Sequence, residues 1–481
     1  MPLSLNHFIS TIAEGPRDAL PPLDAIRYAE TSLPMSIPAA GIGLEKIWQH
    51  LVDEIAPAFN ISANYYGFVT GGCTPAAQFA DLLCSGYDQN VQLSDPHSSI
   101  AAQLENAALS LLQQLLAIDQ DDFRGRTFTT GCTASNILGL TLGREFCVAT
   151  AGRRRSPPTD CSVAQIGLVA ASVRAGIRTI QVLTTLPHSS IRKAAGATGI
   201  GVDAVIEIPL SKEEPWRFDL GALEEKLAQP DAASIIVISA GEVNTGRFAT
   251  SRDDMREIRF LADKYGAWIH VDGAFGLQAR VLSPSESHAT IVEGVHSIQL
   301  ADSIAGDAHK LLNVPYDCGF FFSRHLSLQQ AVFQNGKVPT ADPSEIPSAH
   351  NLGIECSRRL RALPVYASLV AYGRTWYREL LERQIELCRS IASFLLASDS
   401  YELLPQNTDL AHIYIIVLFR ARSPLLNAQL VSRLNASRSI YVSGTVWDGA
   451  PATRIAVSTW RVDVERDSAL VIAELERVVR E

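Results

Sequence analysis

AWIHVDGAFG at 267–276, continued by ADSIAGDAHKLLNVPYDCGFFF at 301–322, is the stretch that decides the fold. Residues 267–271 form a short apolar run that ends on an acid, Asp272. Gly-Ala-Phe-Gly follows, too small and too flexible to continue a strand. A second apolar run, 298–301, stops at Asp302, and a third, 319–322, follows Cys318. Each run predicts a buried strand. His309 and Lys310 fall between the last two, in a loop at the carboxyl ends of strands, where α/β sheets bind their ligands.

Singly these residues say little. A lysine is ordinarily a solvated surface group, and an aspartate after a strand is ordinarily a turn or cap. Together they fit pyridoxal phosphate chemistry. A lysine amine forms a Schiff base with the cofactor aldehyde, and a carboxylate pairs with the pyridinium nitrogen so that the ring stays an electron sink. HVDGAFG followed by DAHKLLNVPYDCG, with 38 positions from Asp272 to Lys310, resembles the group II pyridoxal-phosphate-dependent amino-acid decarboxylases, the family of the aromatic-L-amino-acid, glutamate and histidine decarboxylases. The resemblance runs from about residue 45 to 465. It implies the aspartate aminotransferase fold (fold type I), an α/β architecture with a mainly parallel sheet in a large domain and a small C-terminal α+β domain. The boundaries expected are an N-terminal helical segment over 1–85, a large cofactor domain over 86–375 and a C-terminal domain over 376–481. It also implies that Lys310 is the internal aldimine lysine, that Asp272 is the ring-nitrogen partner, that Ala274 packs on one ring face, and that His309 belongs to the cofactor site.

Composition bounds the partners. The chain has 481 residues, room for two or three domains. Hydrophobic residues at 47% and charged residues at 19% are a globular balance. A net charge of −10 argues against a nucleic-acid partner, and Arg153, Arg154 and Arg155 read as an exposed loop. The first residues show no basic start followed by an apolar core, so no signal peptide is expected. With no 18-residue uncharged apolar run, no membrane partner is expected either. Eight scattered cysteines without a CxxC pair indicate neither a zinc site nor a disulfide framework and suit a reducing, cytoplasmic setting.

Further motifs stand in order along the chain. NYYGFVTGGCTP at 64–75 is aromatic, then glycine-rich, and reads as a loop. The resemblance makes it a lining of the substrate pocket, with Thr70 near the substrate carboxylate and Phe68 and Val69 beside it. A helix of about 18 residues is predicted from Ser98, with Asp95, Ser98 and Ser99 as capping groups. By resemblance the segment before it reaches the neighbouring subunit's site. Val91 and Leu93 fall there, where relatives that take aromatic substrates carry bulky residues. RTFTTGCTASNILGL at 126–140 reads as strand, tight turn and helix, and a helix N-terminus suits a phosphate dianion. The resemblance assigns that phosphate to Cys132, Thr133 and Ser135. In IQVLTTLPHSSIRKA at 180–194, His188 stands just before a helix start. The resemblance stacks it on the pyridine ring opposite Ala274, close enough for proton transfer. Asn244 and Thr245, after the apolar run at 234–240, resemble the family's threonine- and glycine-rich turn, which implies a place near the cofactor. The segment 251–265 predicts an amphipathic helix stopped at Gly266. Strand, helix and strand in succession predict βαβ units.

The polar segment 323–350 has no periodicity and reads as a long loop. In the family a loop here carries a tyrosine that protonates the substrate carbon after CO₂ leaves. This chain has no tyrosine from Ser323 to Pro364, and Val338, Pro339 and Thr340 stand about where it would be. Arg358, Arg359 and Arg361 are placed either on the phosphate, at a dimer interface or in structural ion pairs. A helix is expected from about 375, a strand over 411–419 and two more within 440–460. The expected activity is pyridoxal-phosphate-dependent decarboxylation of an L-amino acid through the Lys310 aldimine and a quinonoid. The missing tyrosine keeps two alternatives open: a decarboxylating oxidative deaminase that releases an aldehyde, and a pyridoxal enzyme of specialised biosynthesis that does not decarboxylate. The family also implies a homodimer with pockets at its interface.

Overall fold

The computed structural model describes residues 18–60, 63–91, 97–334, 346–406 and 408–481. Two sheets organise it. The larger has seven strands: β1 (Gly125–Thr129), β2 (Thr179–Thr184), β3 (Val205–Glu207), β4 (Ala232–Ser239), β5 (Trp268–Asp272), β6 (Ser303–Asp307) and β7 (Gly319–Ser323). Their order is β1-β7-β6-β5-β4-β2-β3. β7 runs antiparallel to both its neighbours, and the remaining pairs are parallel. Six strands therefore share one direction, and their carboxyl ends open on one edge. Helices cover both faces, so the central strands are apolar throughout, as Ala232–Ser239 with its Ile-Ile-Val-Ile run shows.

The helix Arg252–Tyr265 forms where the apolar period predicts. Met255, Ile258 and Ala262 lie buried on one face, and the Met255 and Ile258 side chains each contribute about 1.5–3 kcal/mol by their burial. Ser251 and Asp254 close a capping box at its start, and Gly266 ends it in the left-handed region.

The smaller sheet comprises β8 (Tyr401–Leu404), β9 (Ile416–Ala421), β10 (Ser443–Trp447) and β11 (Ala450–Ala456), in the order β10-β11-β9-β8 and antiparallel throughout. Two helices within Ala362–Ala397, separated by the non-helical Gly373 (φ 68°), link the two sheets. The closing helix, Val464–Arg480, packs on the small sheet with Val471, Leu475 and Val478 buried. Tyr66 also belongs to this second core, with its N–H donating to Tyr441 and its carbonyl accepting from Ala456.

Several sequence expectations need correction. The strand expected at 298–301 is a single 3-10 turn, Ile298–Leu300, and the strand begins only at Ser303. Its sequence, SIAGD, hides it from a hydrophobic count because the strand is too crowded for large residues. A Cβ on Gly306 would lie 2.2 Å from the Phe320 ring. The loop expected over 323–350 contains a helix, Leu326–Phe333, and a 3-10 turn, Ala349–Asn351. Residues 338–340 lie outside the described residues. Residues 410–412 are a 3-10 turn, and the strand expected from 411 starts at Ile416. The helix expected from Ser98 starts at Ala101 and has 15 residues, with the Ser99 hydroxyl accepting from the Ala101 N–H. The helix expected from about 375 begins directly after the break at Gly373, and a further helix, not expected, precedes it from Ala362.

Candidate active site

The shared strand direction brings five loops to one edge. β1 delivers Gly131 and Cys132, β2 delivers His188, β4 delivers Thr245, β5 ends on Asp272, and β6 ends on Asp307 before His309 and Lys310. In the β6–β7 and β1–β7 registers, Asp307 and Thr129 both face Gly319. The turn after β1 therefore sits level with the lysine turn.

Lys310 lies on one helical turn, Ala308–Leu311. Its Nζ is 3.1 Å from Asp307 Oδ2 and 5.9 Å from the centre of the Phe275 ring. Burial pulls the ammonium down, but Asp307 and the other acidic groups around it outweigh burial, and Lys310 is held above its ordinary value. His309 Nδ1 accepts the Cys318 N–H at 3.1 Å, so a neutral ring carries its proton on Nε2, which lies 3.4 Å from Asp307 Oδ1. Burial holds the His309 imidazole below its ordinary value. Its ring packs on Tyr316 at 4.3 Å. Asn313 ties this turn to the predicted substrate segment. Its amide donates to the carbonyls of Gly71 and Ser458, and its own carbonyl accepts from Thr74.

Asp272 is 7% exposed and is held by three donors. Asn136 Nδ2 donates to Oδ2 at 3.0 Å, and the Cys132 thiol and the Ala274 N–H donate to Oδ1, each at 3.2 Å. Cys132 and Asn136 stand one turn apart on the helix Cys132–Arg153, so both meet the same carboxylate. Burial, with Asp272 and Asp307 nearby, pushes the Cys132 thiol far up and keeps it a donor. Asn136 also donates to Ser190 Oγ at 3.1 Å and accepts from His270 Nε2 at 2.9 Å. Ser303 closes the chain, donating to His270 Nδ1 at 2.8 Å and accepting from Trp268 Nε1 at 3.0 Å.

His188 caps the helix Ser189–Ala197, with Nδ1 3.2 Å from the Ser190 N–H and 2.8 Å from Ser190 Oγ. Because Nδ1 accepts, the proton of the neutral ring sits on Nε2. Burial lowers its pKa below the ordinary value. A continuous chain of hydrogen bonds, His188–Ser190–Asn136–Asp272, thus joins the imidazole to the carboxylate.

The other predicted residues are placed as follows. Cys132 uses its N–H on Asp307 Oδ1 at 2.6 Å. Thr133 sits half-buried in the first turn of the same helix. Ser135 turns away into the core, bonded to Thr129 and to the Phe320 carbonyl. The Thr245 hydroxyl and N–H both donate to Glu242 at 2.8 Å, inside their own turn. Ala274 is half-buried beside Asp272. Thr70 is half-buried, and Phe68 is exposed with φ at 59°, a strained value of the kind that collects at functional sites. Val91 is buried, its N–H on the Arg358 carbonyl. Leu93 lies outside the described residues. The arginine cluster is engaged in ion pairs: Arg358 with Glu105, Arg359 with Asp81, and Arg361 with Asp317 and Glu355.

Sequence reading missed Asn136, Ser190, Asp307 and Arg454. A polar asparagine four positions after Cys132, on the same face of the predicted helix, was the available signal for the first. Arg454, on β11, is buried and donates to the Val243 carbonyl at 2.6 Å, and its charge acts on His188 and Glu242.

The pyridoxal-dependent decarboxylase conserved domain matches residues 27–421. L-2,4-diaminobutyrate decarboxylase of Acinetobacter baumannii is 24% identical over 366 residues, which cover 75% of this chain and 67% of that protein. Among solved structures, Rhodiola rosea 4-hydroxyphenylacetaldehyde synthase superposes with a TM-score of 0.79 at 19% identity, covering 99% of this chain and 95% of the other. Oryza sativa TDC with PLP and tryptamine superposes with a TM-score of 0.79 at 20% identity, covering 99% and 98%. At these identities the superpositions show a shared fold.

Proposed function

The chain belongs to the pyridoxal-dependent decarboxylase family, and on that premise we propose that it removes CO₂ from an L-amino acid at the edge where Lys310, Asp272 and His188 converge. Its cofactor is pyridoxal 5′-phosphate. The residues present suit that group: an amine for its aldehyde, a braced carboxylate for its ring nitrogen, an imidazole and a helix N-terminus. When bound, the cofactor supplies an aldehyde to amines and a ring that accepts the electrons released on decarboxylation.

The chain's own groups do the rest. Lys310 would hold the cofactor through its aldehyde, which is the group a substrate amine would compete for. Asp272, fixed by Asn136, Cys132 and Ala274, keeps a proton at the ring nitrogen. His188 would lie beside the cofactor ring and, carrying its proton on Nε2, would be a candidate proton donor there. Thr70, on a segment that Asn313 clamps to the lysine turn, orients the substrate carboxylate, with Phe68, Val91 and Leu93 shaping the pocket. Cys132, Thr133, Thr245, Ala274 and His309 complete the cofactor site. The single observation that carries this reading is the hydrogen-bonded chain from His188 to Asp272 at the same strand edge as Lys310.

We also infer a homodimer in the cytoplasm. Met35 and Ile37 are 96% and 94% exposed, and Leu44, Trp48, Leu51 and Phe59 add to an apolar N-terminal stretch that a second subunit would cover.

A second reading has its own observation, the absence of tyrosine from 323 to 364. Without that proton donor, the same site admits O₂, and amino acid, O₂ and water become aldehyde, CO₂, ammonia and hydrogen peroxide. One experiment separates the two. The purified enzyme is incubated with a panel of L-amino acids while CO₂, amine, aldehyde and peroxide are scored together. CO₂ with equal amine supports the decarboxylase. CO₂ with aldehyde and peroxide supports the oxidative reading. No CO₂ from any amino acid, in a protein that binds the cofactor, overturns both.

A further inference from the structure

Asp307 is 3% exposed and closes β6 three residues before Lys310. Three N–H groups converge on it: the Cys132 N–H at 2.6 Å, Lys310 Nζ at 3.1 Å and His309 Nε2 at 3.4 Å. Each comes from a different constraint. The Cys132 N–H is a free donor at the start of a 22-residue helix. His309 is held in its orientation by the Cys318 N–H. Lys310 reaches the carboxylate on a long unbranched side chain, and Asp307 lies within ion-pair distance of its Nζ. The carboxylate thus has a backbone donor and a hydrogen-bonded imidazole on one oxygen and the amine on the other.

We propose that Asp307 is a positioning residue that stores Lys310 as an ammonium and takes its proton each time the amine acts as a nucleophile. This rests on the reading of Lys310 as the cofactor lysine. In the step, an Nζ–H bond breaks and the proton passes to Asp307 Oδ2. The freed electron pair of Nζ attacks the aldehyde carbon, the two remaining Nζ–H bonds break as their protons pass to the aldehyde oxygen, that oxygen leaves as water, and C=N forms. When the substrate amine displaces Lys310, the proton returns. No oxidant or reductant is involved. Several titratable groups share this field. They are Lys310 and His309 on its own turn, Cys132 on the helix after β1, Asp272 at the end of β5, His188 after β2, and Tyr316, Asp317 and Cys318 on the following loop.

A purely structural Asp307, serving only to cap the helix after β1, would tolerate asparagine with no change in the behaviour of Lys310. The test therefore follows the lysine. Cofactor is stripped from the wild-type and Asp307→Asn holoenzymes and added back across a pH series. Imine formation is followed by visible absorbance and captured with borohydride, and the modified peptide is identified by mass. In wild type the rate rises through the titration of Lys310. In Asp307→Asn the midpoint moves down by about one pH unit or more, the usual effect of losing an opposite charge at this range. Asp307→Glu restores the wild-type midpoint in part. Equal midpoints in wild type and Asp307→Asn overturn the inference. Capture on a lysine other than Lys310, or on none, overturns the functional reading instead. If Asp307→Asn does not fold, acylation of Lys310 in stripped wild-type enzyme decides. A midpoint at or above the ordinary lysine value of about 10.4 supports the stored ammonium, and a lower one sinks it.

Discussion

Asn136 Nδ2 lies 3.0 Å from Asp272 Oδ2 and 3.1 Å from Ser190 Oγ, while its Oδ1 accepts from His270 Nε2. One fully buried amide thus orients the Asp272 carboxylate, proposed above as the ring-nitrogen partner, and, through Ser190, the imidazole of His188.

Replacing Asn136 with alanine strands the His270 N–H and one oxygen of Asp272 together. The expected cost is about 1–3 kcal/mol of stability, the range for leaving a buried partner unsatisfied. Cofactor affinity falls as well, because Asp272 loses its brace. Thermal melts with and without added pyridoxal phosphate check both, and a melt unchanged in either condition would refute the role.

The Cys132 thiol at 3.2 Å from Asp272 is a second brace. Cys132→Ala is expected to weaken cofactor binding by about fivefold, the equivalent of one hydrogen bond of about 1 kcal/mol. Cys132→Ser, which keeps a donor, stays near wild type. Equilibrium titration of the three proteins with pyridoxal phosphate tests the order.

His270 predicts an acid limb. Burial lowers its pKa from 6.5 to about 4. Between those values the unfolded chain binds a proton that the folded chain refuses. Stability is therefore fully present above pH 6.5 and falls as the pH drops towards 4. The loss approaches about 3 kcal/mol at the acid end. His188 and His309, also depressed by burial, act in the same direction. Urea unfolding from about pH 7.5 to 5 measures the slope. His270→Gln should flatten it, and an unchanged slope would assign the limb to other groups.

Arg358 and Glu105 form a buried ion pair, with Arg358 Nη1 2.8 Å from Glu105 Oε2. Arg358→Ala leaves a carboxylate unpaired in the interior and is expected to cost about 3–5 kcal/mol. Replacing both partners, with Arg358→Met and Glu105→Leu, should recover part of that loss. Denaturant midpoints for the single and double variants decide.

Much of this protein was written locally. HVDGAFG and DAHKLLNVPYDCG place Asp272 and Lys310 at strand ends, PHSS places His188 at a helix start, and the apolar period of 251–265 specifies its helix, because each depends on neighbours within a turn or two. Where the sequence misled, a long-range constraint had overridden local pattern. β6 is built from small residues because the Phe320 ring lies against it, so its hydrophobic signal is weak. Ser135, which the family resemblance put near the phosphate, is hydrogen-bonded in the core to the Phe320 carbonyl. Only the tertiary structure decided the rest. Asn136 meets Asp272, and Cys132 meets Asp307, across 136 and 175 positions of chain, because six strands point the same way and bring distant loops to one edge. Local sequence sets each residue's element, but hydrogen bonds between loops far apart in the chain exist only once the sheet order is in place.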